Sequence, residues 1–285
     1  MASAPLLDPS ALAAIAASYP PPLTARKINR EIVTVVGWVP AILMQFAHPL
    51  VAAGVADHSA FRSHPGARIE RLRSTVQSML SLTFGSPEEV ARTAARINGI
   101  HTRVNGELRD GAGTLPRGTR YSARDPALLR WVHATLMTSL PRTYELYVGP
   151  LTRAEKDSFC RDAALRAPLY GIPEGYLPDS AAGIEGYIED MISSGQIAIS
   201  ETARTLANEF LNPPHPPLTG PLLSLLRLPA IGLLPESIRK AYGFRWERRH
   251  ELAMQSSVVA ARGLLRLSPP MVRYWPFALT SEAAA

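Results

Sequence analysis

Three histidines, His48, His101 and His133, stand in the apolar stripes of three different amphipathic segments. Near neutral pH an imidazole can take or give a proton, or bind iron, zinc or copper as a borderline ligand. Taken singly, a histidine on an apolar face is more often a core residue with its ring nitrogens satisfied than a ligand. Three together need a reason, because each buried ring costs free energy unless something binds it. His58 and His64 read as loop residues or caps, and His215 and His250 sit in polar or proline-rich contexts with no seam.

The companion residues narrow the chemistry. No HExxH occurs, and the Glu-x-x-His motif that a two-iron helical bundle carries on each of two helices is not present twice. A facial triad of two histidines and a carboxylate needs an inward acid, and Asp57 is the acid near these seams. The single cysteine, Cys160, excludes a disulfide framework, a cysteine zinc cluster and CxxCH haem attachment. GxGxxG, Walker and G-x-S-x-G motifs are missing. Haem asks for less: one axial histidine, apolar walls, and cations for its carboxylates. The seams supply the walls, and Arg62, Arg68, Arg71 and Arg73 are candidate cations.

The elements that must position these residues are helices. Ile32 to His58 is a long apolar run in which Met44, His48, Val51, Val55 and His58 recur at helical spacing. Pro40 and Pro49 predict a bend or break within it. Ala67 to Leu82 is amphipathic. Ser86-Pro87-Glu88-Glu89 has the capping-box spacing, and opens a seam of Val90, Ala94, Ile97, His101, Val104 and Leu108. Asp125-Pro126 opens the helix carrying Leu129, His133, Leu136 and Leu140, with Pro141 expected to end it or start the next. Thr152 with Glu155 marks another start. Further helices are expected over 179–193, 200–211, 221–228, 235–242 and 247–267, and no strand pattern or fixed repeat is evident. The expectation is an all-α fold, one multi-helix domain over residues 27–250, with an N-terminal arm at 1–26 and a C-terminal helix and tail at 251–285.

Composition limits the partners. A chain of 285 residues that is 46% hydrophobic can bury a substantial core. The net charge of +6 comes from arginine, with Lys27, Lys156 and Lys240 the three lysines. The arginines are scattered and no nucleic-acid motif accompanies them, so no nucleic-acid partner is expected. About 20 apolar residues can span a bilayer, but Gln45, His48 and two prolines interrupt the Ile32–His58 run. Peripheral membrane contact stays open, and the start has no basic secretory region, so a cytoplasmic location is the expectation.

Several strings resemble the MpaB-type oxygenase family, which includes the latex-clearing rubber oxygenases. They are QFAHPLVAAGVADHSAFR, FGS, IHTRVNG, YSARDPALLRWVHATL, YVGPLTRAE and LLPESIRKAYGFRW, in order from about Ile28 to Trp246. The resemblance implies an all-helical fold around one non-covalent haem b, with an iron-binding proximal histidine at His101. It places His133 and Thr135 near the haem; Arg68 and Arg71, cations at a helix start where the dipole disfavours them, are weaker cofactor-binding candidates read from the residues themselves. In the rubber oxygenases an Arg-x-x-Lys-Thr motif offers a distal lysine. The stretch Arg68-Ile69-Glu70-Arg71-Leu72 corresponds to it here, and arginine has no lone pair to give to iron.

The expected function is therefore a haem b-dependent oxidoreductase, an oxygenase acting with dioxygen on a small hydrophobic substrate. His101 would be the proximal ligand and His48 the catalytic group on the distal face. The alternative is a haem-binding carrier or sensor without turnover. Rubber itself is not the expected substrate.

Overall fold

The computed structural model describes residues 7–58, 65–212 and 227–283, with backbone alone at 65–72 and 281–283. The helices in chain order are α1 (Pro9–Ser18), α2 (Leu23–Asn29), α3 (Trp38–Phe46), α4 (Pro49–His58), α5 (Pro65–Phe84), α6 (Pro87–His101), α7 (Pro126–Tyr147) and α8 (Arg153–Arg166). They continue with α9 (Ala181–Ser193), α10 (Glu201–Leu211), α11 (residues 227–232), α12 (Glu236–Tyr242), α13 (Arg248–Leu267), α14 (Pro270–Arg273) and α15 (Pro276–Ala283). Two 3-10 turns, Ile32–Gly37 and Ala167–Tyr170, complete them. The expected all-α, single-domain architecture is what forms. The helix expected at 221–228 falls almost wholly outside the described residues.

Helix starts follow local chemistry. Ser86 accepts from the Glu89 amide while the Glu89 carboxylate accepts from the Ser86 amide, and Thr152 with Glu155 repeats the arrangement. Asp125 caps α7 by accepting from the Ala127 amide. Each such cap satisfies amides the helix cannot pair internally. The stretch between His101 and Asp125 departs from the all-helical expectation. Strand β1 (Asn105–Glu107) pairs antiparallel with β2 (Arg120–Ser122), Gly106 opposite Tyr121. Three-residue strands are too short to show an alternating pattern.

The apolar run is not one helix. Its first part and α4 meet at 105°, so the face drawn through Met44, His48 and Val51 does not survive as a single stripe. Pro40 causes no break, because it sits in the first turn of α3, where no backbone donor is needed. Pro49 does, since it begins α4. No single helix among the described residues is long and apolar enough to cross a membrane, and only this bent pair has the length and composition together.

Carbonyls near that break are buried and find distant partners. The Trp131 indole donates to the Met44 carbonyl at 3.2 Å, the Tyr242 hydroxyl to that of Leu43 at 2.7 Å, and the Ala198 amide to that of Ala47 at 3.0 Å. The bend is thereby tied to α7, α12 and the segment before α10.

Helix α7 is the central element, packed against the 3-10 turn Ile32–Gly37, α3, α8, α9 and α13. Pro141 lies inside it, neither ending nor starting a helix. An interior proline costs roughly 3 kcal/mol. Burial of Trp131, Met137, Leu140 and Tyr144 on both sides of it outweighs that, at about 1.5–3 kcal/mol for a large apolar side chain. At the chain ends, Leu12 and Ala16 of α1 pack against Val90 and Ala94 of α6. Arg273 grips the fully buried Glu31 carboxylate through two hydrogen bonds of 2.8 and 2.6 Å.

Gly37 allows the 3-10 turn to touch α7. A Cβ there would stand 2.4 Å from Thr143 Oγ1 and 3.1 Å from the Ser139 carbonyl oxygen. Gly37→Ala should destabilise the protein by about 1–3 kcal/mol, the cost of overpacking. Gly263→Ala, with nothing within 4 Å, should leave thermal unfolding unchanged or raise its midpoint. Equal midpoints for the two variants would contradict this packing.

Candidate functional site

A cavity of about 530 Å³ lies among α2, α5, α6, α7 and α8, within the roughly 300–1,000 Å³ usual for small-molecule and cofactor sites. Helix α7 faces it with Leu129, His133, Leu136 and Leu140, the same four residues its sequence periodicity puts on one face. Helix α6 adds Ile97 and His101, one turn apart. Met79 and Leu82 of α5 continue the apolar wall, while Ser74, Thr75 and Ser78 are its hydroxyl-bearing part. Thr75, Arg96 and Ile100 line the cavity and are also exposed, which places a mouth between α5 and α6.

His101 and His133 enter this cavity together. His101 ends α6, and its buried Nδ1 has no hydrogen-bond partner. Burial lowers its pKa. His133 is pushed down to about 4, chiefly by burial and secondarily by the nearby His101. Its ring lies 5.0 Å from that of Tyr170, tilted by 37°. Both rings are thus held neutral at pH 7, with a lone pair available to a ligand or a proton.

Three charged side chains complete the lining, and sequence reasoning did not select them. Arg96 donates to Ser78 Oγ at 2.6 Å across the mouth. Arg166 donates to the Pro20 carbonyl at 2.7 Å, and desolvation lowers its pKa. Asp162, one turn before Arg166 on α8, has a buried Oδ2 without a hydrogen bond, and its pKa is raised by burial. An acid and an arginine four apart on a weakly amphipathic helix read as a solvated pair. The flanking Phe159 and Ala163, which also face the cavity, are the only hint in the sequence that this face turns inward.

Other candidates stand elsewhere. His48 is buried, its Nδ1 accepts from the Leu50 amide at 3.3 Å, and it is not among the cavity-lining residues. Thr135 also lies off the lining, donating to the Val132 carbonyl and accepting from Gln45 Nε2. Arg68 and Arg71 belong to α5, but their side chains are outside the described residues, as are Arg62, His64 and His215. Arg73 is exposed and does not line the cavity. His58 bonds the Asn105 carbonyl through Nε2, and His250 caps α13. Asp57 is engaged by Arg109 and the Tyr121 hydroxyl.

Among the described residues no three His, Cys, Asp or Glu side chains gather to hold a bare metal ion.

Comparison with protein families matches residues 25–266 to the family described as "ER-bound oxygenase mpaB/B'/Rubber oxygenase, catalytic domain". Comparison with curated proteins and with solved structures gives no match.

His48 carries a pH prediction. Burial depresses its pKa from 6.5 to about 4 in the folded chain. The unfolded state therefore binds more protons between those values, and the stabilising contribution of the neutral ring is lost as pH falls through that window. Stability should drop on acidification from pH 6.5 to 4. His48→Asn, which keeps an acceptor for the Leu50 amide, should reduce the slope by up to one proton, about 1.4 kcal/mol per pH unit. Chemical denaturation at stepped pH measures both, and an unchanged slope would refute it.

Proposed function

The chain belongs to the MpaB and rubber oxygenase catalytic-domain family, and on that premise we propose that it is a haem b-dependent oxygenase with His101 as axial ligand. The observation that carries the reading is His101, which lines an apolar cavity together with a second neutral imidazole and whose buried Nδ1 has no partner among the described residues. A buried polar atom without a partner in the polypeptide costs free energy that a bound group recovers.

The residues present fit that group. His101 offers a neutral ring, and His133 stands beside it, restricting how a planar ligand and the His101 ring settle. Arg96 and Arg166 would neutralise the two haem carboxylates. Met79, Leu82, Ile97, Leu136 and Leu140 supply the apolar walls, which favour a hydrophobic substrate and exclude water. Bound here, haem iron would supply the binding and activation of dioxygen. Burial raises the pKa of Asp162, so this acid on the cavity lining takes up a proton more readily than an exposed one would. His48 accepts from the Leu50 amide and is not among the cavity-lining residues, so the proposed chemistry is assigned to residues that are.

Purified from haem-supplemented expression, the protein should be red with a Soret band. His101→Ala should lose the band while keeping its far-UV circular dichroism. His133→Ala should weaken haem binding by about 10- to 100-fold, the range for groups that support a ligand. A colourless protein that takes up no haem on titration would end this reading. A ferrous form that binds neither dioxygen nor carbon monoxide would leave haem binding intact and remove the oxygenase step.

A further inference from the structure

Seven of the eleven large apolar side chains exposed among the described residues fall between Leu252 and Phe277, on α13, α14 and the start of α15. The densest part is the turn from α13 into α14. There Leu264 is 69% exposed, Leu267 86%, Met271 79% and Val272 64%, with Pro269 and Pro270 exposed between them. Water contact over so many neighbouring apolar groups is unfavourable, and such a patch marks an interaction surface.

This turn is held firmly at both ends. Arg262 donates to the Leu146 and Glu145 carbonyls at 2.7 and 2.6 Å. Arg273 is locked onto Glu31, and the Trp275 amide donates to the Arg30 carbonyl. The two flanking arginines turn inward, so the apolar side chains between them are the ones displayed.

Charge decides the kind of partner. From Leu252 to Thr280 the sequence has no aspartate or glutamate, and it has three arginines. Among the described residues, Glu31 compensates Arg273, Arg262 meets carbonyl oxygens and no acid, and Arg266, exposed beside Leu267, meets no acid. An apolar turn carrying uncompensated positive charge and no acid suits the boundary of an anionic bilayer, where apolar groups enter the acyl region and arginine meets phosphate. A second copy of this chain would bring the same positive charge against itself. We propose that the turn Gly263–Val272 is a membrane-docking surface that seats the protein on anionic lipid.

The test is co-sedimentation of the full chain with phosphatidylcholine vesicles, with and without phosphatidylserine. Binding is expected with the mixed vesicles, and should weaken in high salt. Leu267→Glu combined with Met271→Glu should reduce partitioning by at least about tenfold with thermal unfolding unchanged, because both side chains lie in water. Arg266→Gln should reduce it about fivefold on the mixed vesicles alone, the contribution of one basic residue near an anionic surface. No binding to mixed vesicles overturns the proposal, as does equal binding by the double variant. A dimer that the double substitution dissociates, in a protein that ignores vesicles, would assign the surface to a second copy.

Discussion

Buried backbone carbonyls at the bend between α3 and α4 govern much of this fold. Pro49 brings no amide to the helix ladder, and the chain turns by 105° in the interior, where the Leu43 and Met44 carbonyls accept from the Ala47 amide and from a distant donor as well. The Trp131 indole, the Tyr242 hydroxyl and the Ala198 amide answer the carbonyls of Met44, Leu43 and Ala47. Each donor comes from a different part of the chain, up to 199 residues away in the case of Tyr242. One local backbone defect thus fixes the relative placement of α3, α4, α7, α12 and the segment before α10. It also accounts for a run that has the apolar length of a membrane span and is folded back on itself.

With α7 held by that bend, its other face is free to wall a cavity. The same 22-residue helix gives Trp131 to the core and His133 to the cavity two positions later. Burial has opposite consequences on the two sides. Trp131 finds a carbonyl and is satisfied, whereas His133 and His101 lose the hydration that would protonate them and remain neutral bases. Across the cavity, burial works against the charged forms of Asp162 and Arg166 in the same way. Neutral imidazoles on one wall and desolvated charges on another are what the proposed cofactor site is built from.

The C-terminal helices depend on a second interior constraint. A carboxylate as completely buried as Glu31 is tolerable only with its charge met, and Arg273 meets it with both oxygens engaged. That pair holds α14 against the start of the apolar run and leaves the turn before it facing outward.

Local chemistry in the sequence was enough for the helical class, the capped starts of α6, α7 and α8, and the cavity face of α7. Each depends on spacings of three or four residues or on one cap, which the chain shows without its neighbours. His101 and His133 were legible for the same reason, as polar residues at apolar positions. Tertiary structure alone decided which histidines meet. His101 and His133 share a cavity because α6 and α7 flank it, whereas His48 is taken by a backbone amide at the bend. It also decided that α7 continues through Pro141, since burial on both sides exceeds a local penalty. Asp162, Arg166 and Arg96 came to line the cavity in the same way. Charged side chains read as solvated until distant helices enclose them, and enclosure is a property of the packed molecule.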